Sequence, residues 1–243
     1  MDFALNADQL ELKQAARVWL ADRFPLDRDW DAQDDRWAEL EELGWLDVAE
    51  AGLGFVEEAL LLEELGYVCY PGFYLGHVAS LPSNGHVATV DPTRPFQQVE
   101  ETPRFRAACA AEALGVAQRA LDLGVEHAKT RVQFGKPIGT YQAVSHPLAQ
   151  TYTDVELSRS LVYWAAWCAA EDDDRAALAA AAAKAFATEA AVAACERSIQ
   201  VHGGIGFTWE HPLHRFYKRA LWLEGFGRRP AELRVEVADA LLS

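Results

Sequence analysis

Cysteine is scarce in this sequence, and the four present, Cys69, Cys109, Cys168 and Cys195, lie far apart, with no C-x-x-C pair and no histidine at metal-ligand spacing. That excludes a disulfide framework and a zinc site, and leaves buried reduced thiols as the expectation. Positive charge is also scarce: 22 Lys and Arg stand against 37 Asp and Glu, for a net charge of −15. Nucleic acid and anionic membrane both require a basic face, so neither is expected as a partner. No uninterrupted run of about 18 apolar residues occurs. The first ten residues carry Asp2 and Asp8 instead of a positive start followed by an apolar run, so a soluble cytoplasmic protein is expected. No internal repeat is evident, and no G-x-G-x-x-G follows a strand-like run, which removes a Rossmann reading.

What is present is enough apolar material, 51% of 243 residues, to bury a core without staples. Apolar positions Leu10, Ala15, Val18 and Trp19 predict a helix from Ala7 to Phe24, stopped by Pro25. Further helices are predicted over Asp34 to Leu43 and Phe55 to Leu65. Between Pro71 and Thr102, prolines and glycines leave room only for short strands such as His86 to Val90 and Phe96 to Val99.

After Pro103 the pattern is helical almost throughout. Leu114, Ala117, Leu121, Val125 and Ala128 share one face of a helix reaching about Lys129. A second long helix is predicted after Pro147. Glu171 to Asp174 reads as a solvated turn that caps the next helix. That helix, Ala176 to about Val201, is so rich in alanine that its neighbours could approach closely. Shorter helices are predicted over His211 to Leu223 and Pro230 to Leu242. The fold class is mostly α, with a helical N-terminal part (1–70), a truncated β remnant or linker (71–103) and a C-terminal antiparallel bundle of four-helix type (104–243).

Three stretches could carry chemistry. Arg131-Val132-Gln133-Phe134-Gly135-Lys136-Pro137 places cations and an aromatic at a helix end. Dipole attraction alone accounts for cations there, but Arg also suits phosphate oxygens and Phe134 a base. In Gln200-Val201-His202-Gly203-Gly204-Ile205-Gly206 the glycines could end a helix or admit a pyrophosphate to the backbone. Glu224 follows the apolar run Ala220 to Leu223. A carboxyl in such surroundings has a raised pKa and suits a general base, although a Glu at a helix end is usually just solvated. His202, His211 and His214 lack a metal-like partner set and are read as structural. Trp164 and Trp167 are read as core or interface.

Taken in order, these motifs resemble the C-terminal domain of the acyl-CoA dehydrogenases. The resemblance runs from about Ala107 to Leu242, through AQRALDLGVEHAKTRVQFGKPIGTYQAV and IQVHGGIGFTWEHPLHRFYKRA. It continues more weakly through MDFALNADQLELKQAARVWLADRF and LEELGYVCYPGFYLG. The resemblance implies FAD held across a subunit boundary. Arg131, Gln133 and Phe134, with Tyr141 and Gln142 nearby, would clasp its adenine and pyrophosphate end, and Gln200, Gly203 and Gly204 would meet the pyrophosphate. It implies α,β-dehydrogenation of an acyl thioester, with Glu224 as base and Arg106 near the substrate; no metal is implied. Three departures from the family pattern stand out. The stretch from His202 to Glu224 is short, Phe105 occupies an alternative base position, and VATVDPTRPFQQVEETP resembles only the exit from the family's β-barrel. The implied arrangement is one subunit of a heteromeric complex whose longer homologous acyl-CoA dehydrogenase subunit supplies the β-domain; a homo-oligomer is the other assembly. The alternatives are a flavin-independent lyase, isomerase or cyclase on the same fold, and a non-catalytic stabilising subunit.

Overall fold

The computed structural model describes residues 5–30, 34–48, 51–79 and 101–243. The predicted strands His86 to Val90 and Phe96 to Val99 lie outside the described residues.

The N-terminal part begins with α1 (Ala7–Arg23), closed by a reciprocal cap in which Asn6 accepts the Gln9 N–H at 2.8 Å and Gln9 accepts the Asn6 N–H at 3.0 Å. Helix α2 (Trp37–Glu42) starts later than its pattern suggests. Asp34 and Asp35 accept the N–H groups of Arg36 and Trp37, and Arg36 is left-handed at φ +52°. These short side chains compete with the helix for its first donors. Helix α3 (Phe55–Tyr67) follows, and then α4 (Tyr74–Val78), a helical turn where only strand had been expected. The Tyr74 hydroxyl donates to the Trp45 carbonyl at 2.7 Å, which ties that turn to the core.

The C-terminal part is α5 (Pro103–Thr130), the hairpin strands β1 (Val132–Gln133) and β2 (Lys136–Pro137), α6 (Gln142–Ala170), α7 (Ala176–His202), α8 (Leu213–Gly225) and α9 (Pro230–Leu242). Thr102 caps α5 by accepting the Phe105 N–H, with Pro103 at the first helical position. Pro147 lies inside α6 rather than before it. It falls in the second turn, where the missing N–H removes a single ladder bond close to the helix start. The acidic turn does not cap α7 with a side chain: Asp173 instead accepts the Arg175 N–H and guanidinium, at 2.9 and 2.8 Å.

Helices α5, α6 and α7 pack side by side, with α3 against α5 and with α8 and α9 against α7. Small residues permit the close approaches. A Cβ on Gly115 would lie 1.9 Å from the Glu63 carbonyl oxygen, and one on Gly66 would lie 2.1 Å from that of Glu112. The alanines predicted to admit close neighbours do so: Ala179, Ala180, Ala183, Ala187 and Ala191 are fully buried. One hydrophobic core runs from Ala16 through the bundle to Phe226, so the N-terminal helices and the bundle share it. All four cysteines are free and buried. Helix α7, extended to Phe207, is long and apolar enough to cross a membrane by composition, but 67% of that window is buried within the protein, as in a core helix.

Candidate functional site

Helices α5 and α7 run parallel, each followed or preceded by α6 in the opposite sense, so both finish at one end of the bundle. The contact between them there is direct. His127, one turn before the end of α5, stacks on His202 with ring centroids 4.2 Å apart, and His202 in turn meets His211 at 4.4 Å. The stack brings the Arg131–Pro137 motif and the Gln200–Gly206 motif to the same end of the molecule.

Past the end of α5 the chain reverses in the hairpin, with Val132 opposite Pro137 and Gln133 opposite Lys136. Phe134 and Gly135 have φ values of +52° and +81°, as the two central residues of a type I′ turn require. This turn lifts the Phe134 ring into solvent, where it is 92% exposed. Tyr141 braces the hairpin: its hydroxyl donates to the Gln133 carbonyl at 3.3 Å, its ring lies 6.4 Å edge-on from Phe134, and the Lys136 ammonium sits 4.4 Å from its centroid. Arg131 is exposed and makes no ion pair among the described residues, and Gln133 and Gln142 are exposed as well.

On the α7 side, Gly203 caps the helix at φ +64° and donates its N–H to the Ile199 and Gln200 carbonyls, so the structural role open in the sequence is realised. A 3-10 turn over Gly203–Phe207 follows. A Cβ on Gly203 or Gly204 would meet nothing within 4 Å, and Gln200 is exposed. This end therefore offers a free guanidinium, a bare aromatic face and open backbone, which is the chemistry that the adenine and phosphate end of a dinucleotide uses. Phe207 and Trp209 add further exposed rings at 74 and 71%.

The three stacked imidazoles are all held below the ordinary histidine range. For His127 and His202 burial is the leading cause, with His202 and Arg131 acting further on His127 and the Ser198 carbonyl opposing at His202. Burial followed by repulsion from His202, His127 and His214 brings His211 to about 4. His127 was not singled out from sequence, because nothing local marks it; only the parallel ends of α5 and α7 bring it onto His202. Among the described residues no group of His, Cys, Asp and Glu is arranged to hold a metal ion.

Glu224 lies elsewhere. It is in the last turn of α8, partly buried, and its carboxyl is pushed above the ordinary range by burial first and then by Glu189 and Glu196 on α7, with Arg229 opposing. Lying level with Glu189 and Glu196, it is on the order of 10–20 Å from His202 along the axis of α7, at 1.5 Å per residue. Arg106 is buried near the start of α5 and donates to Glu101 at 3.0 Å and to Glu236 of α9 at 2.7 Å. Glu101 also accepts the Arg228 N–H, so Arg106 and the segment following Glu224 share one neighbourhood. Phe105 is buried against Phe226 at 5.1 Å. The predicted residues thus fall into two groups, those expected to form the clasp at the ends of α5 and α7 and the Glu224 region at the α8–α9 connection, bridged by α7.

Residues 98–227 match the family described as the acyl-CoA dehydrogenase C-terminal domain, and residues 6–86 match its N-terminal domain. The acyl-CoA dehydrogenase IpdE2 of Mycobacterium tuberculosis is 43% identical over 146 residues, which is 55% of this chain and 44% of that protein. Among solved structures, butyryl-CoA dehydrogenase of Megasphaera elsdenii is similar at 34% identity with a TM-score of 0.56, over 58% of this chain and 37% of the other. A chain of the ChsE4–ChsE5 complex from M. tuberculosis shares the fold over 100% of this chain and 99% of the other, with a TM-score of 0.78 at 21% identity. The match to IpdE2 spans less than half of that relative's length.

Proposed function

Because the chain belongs to the acyl-CoA dehydrogenase family, we propose that it serves as one subunit of a flavin-dependent acyl-thioester dehydrogenase whose longer homologous partner supplies the β-domain. One observation carries this reading. An aromatic ring 92% exposed, a guanidinium that makes no ion pair among the described residues and an open double glycine lie at the end where α5 and α7 finish, and no described residue packs over the Phe134 ring or the two glycines. An exposed phenylalanine forgoes about 1.5–3 kcal/mol of burial, and a tight hairpin that holds it outward makes sense as a surface to be covered. The fold shared with a chain of the ChsE4–ChsE5 complex favours a heteromeric assembly over a homo-oligomer.

In this reading Arg131 and Gln200 address phosphate oxygens, and Phe134 and Tyr141, with Gln133 and Gln142, flank the adenine. Gly203 and Gly204 allow the backbone to approach the pyrophosphate. FAD, when bound, supplies the acceptor for the hydride leaving the β-carbon of the thioester. Glu224 takes the α-proton. Its raised affinity for protons brings it nearer the neutral range in which a general base works best. Arg106, already shared by Glu101 and Glu236, acts near the substrate through the shape of that neighbourhood.

The visible absorption spectrum tests the proposal, taken on this chain purified alone and again after co-expression with a longer homologue. Flavin bands appearing only in the co-purified assembly are expected. A stable but colourless assembly would overturn the flavin reading in favour of acid–base chemistry or a stabilising role.

A further inference from the structure

Lys184 lies in the first third of the alanine-rich α7 and is fully buried. No carboxylate lies within ion-pairing distance of it among the described residues; its ammonium instead donates to the Phe226 carbonyl at 2.5 Å and to the Arg228 carbonyl at 3.0 Å, and rests 5.3 Å from the centre of the Phe105 ring. Burial lowers its affinity for the proton. Taking an ammonium out of water is costly, and in a helix of alanines an apolar residue would fill the place without that cost. What the lysine adds is two strong donors to a piece of backbone that has just left helical geometry, since Phe226 is extended at φ −79° and ψ 108°.

The same piece is also held by Glu101 and by three aromatic rings. Glu101 accepts the Arg228 N–H. Gly227 sits at φ +76°, where a Cβ would lie 2.5 Å from a Glu101 oxygen. The Phe226 ring is enclosed by Trp222 at 4.4 Å, Phe105 at 5.1 Å and Phe73 at 6.3 Å. Glu224 is two residues upstream of Phe226, and its own carboxyl has no hydrogen bond to hold it among the described residues. The direction of Glu224 is therefore set by its backbone, which the α8 ladder holds from one side and the anchored turn at Phe226 from the other.

We propose that Lys184 is a positioning residue: by clamping the Phe226 and Arg228 carbonyls it fixes where the Glu224 carboxylate points. The role rests on reading Glu224 as the base and acts on that group through the main chain. Lys184→Met keeps the stem and removes the donors. Measured by hydrogen exchange on the whole chain, the amides from Gly225 to Arg229 are expected to exchange about tenfold faster in the variant, with those of α5 and the middle of α7 unchanged. In the flavin-loaded assembly, kcat is expected to fall about tenfold with KM little altered, and the acid limb of the pH profile to move. Unchanged exchange at Gly225 to Arg229 would sink the clamp. Faster exchange with kcat and pH profile intact would overturn the positioning role. A wild-type assembly that binds flavin but dehydrogenates no acyl thioester would remove the Glu224 reading and this role with it, whatever the exchange data show of the clamp. If Lys184→Met fails to fold, the wild-type ammonium decides by NMR. Its protons must exchange more slowly than those of exposed lysines and couple to the Phe226 and Arg228 carbonyls, and fast exchange overturns the proposal.

Discussion

Two regions of the molecule treat polar groups in opposite ways. Where α1 and α3 meet α5 and α6, Glu63 is fully buried and receives Lys13 at 2.6 Å, the Tyr163 hydroxyl at 2.8 Å and the Arg159 guanidinium. Arg159 reaches on to Gln118 at 2.7 Å, and Glu64 beside it is held by Arg17. Burial works against the charge on Glu63, but Lys13 and Arg159 overcome it and keep the carboxyl below its ordinary range. At the ends of α5 and α7, by contrast, the Arg131 guanidinium makes no ion pair among the described residues and the Phe134 and Phe207 rings stand largely exposed. The seam is satisfied by groups of the described chain; the end where α5 and α7 finish leaves its aromatic and cationic side chains exposed, as the proposed clasp requires.

The contrast is broken most severely at the seam. Glu63→Ala leaves Lys13, Arg159 and the Tyr163 hydroxyl without their shared acceptor. Removing one partner from a buried ionic cluster costs about 3–5 kcal/mol, so urea denaturation is expected to show a loss near the lower figure, because Lys13 and Arg159 keep some access to water. A midpoint within error of wild type would mean that the seam is ornamental. Gly115→Ala tests the same seam through packing. The added methyl meets the Glu63 carbonyl head-on, and overpacking of this kind costs about 1–3 kcal/mol. Thermal unfolding measures it, and an unchanged midpoint would show that α3 can slide away freely.

Much of this was legible in the sequence where a local rule decides the outcome. The limits of α1, α5 and α9 follow from capping and proline signals, and the alanine run forecast a helix its neighbours could crowd. The residues proposed for the clasp stand out in the sequence as motifs, yet their arrangement in space does not. Phe134-Gly135 is not one of the asparagine- or aspartate-led pairs that announce a type I′ turn, so the hairpin went unseen. Glu63 and Glu64 look like solvated charges in a helix, and only the arrival of Lys13, Arg17 and Arg159 from distant elements buries them. Lys184 resembles an ordinary surface lysine among alanines until α8 and α9 close over it. The hairpin aside, each unread feature depends on partners far away in the chain.

Acid sharpens the comparison at the other end. The depressed pKa values of His127, His202 and His211 mean that the folded state prefers them neutral, whereas the unfolded chain protonates them near the ordinary value of about 6.5. Their contribution to stability is therefore whole above that pH and is lost as pH falls toward the value of about 4 at which His211 protonates in the fold. Denaturation midpoints measured across that window should fall, and fall less steeply in His202→Phe, which keeps the stack without its charge. Parallel pH profiles for the two proteins would show that the stack does not couple to stability.

The smallest effect on the fold and the sharpest division between the two regions are expected from Phe134→Ala. A ring 92% exposed contributes almost nothing to the folded chain, and surface substitutions of this kind stay within about 0.5 kcal/mol. The isolated subunit should therefore unfold at the wild-type midpoint. If the proposed clasp holds, in the assembly the same substitution removes a flat apolar face from the adenine, and Arg131→Ala removes a charge from the phosphates; both should then loosen flavin retention, by about tenfold for a contact worth about 1.4 kcal/mol. Flavin release during dilution and filtration of the assembly measures this. If Phe134→Ala lowers the midpoint of the isolated chain by several degrees, the hairpin belongs to the finished part of the molecule. If both variants retain flavin as the wild type does, the exposed end covers some other surface of the partner, and the clasp assignment falls while the stability comparison between the two regions stands.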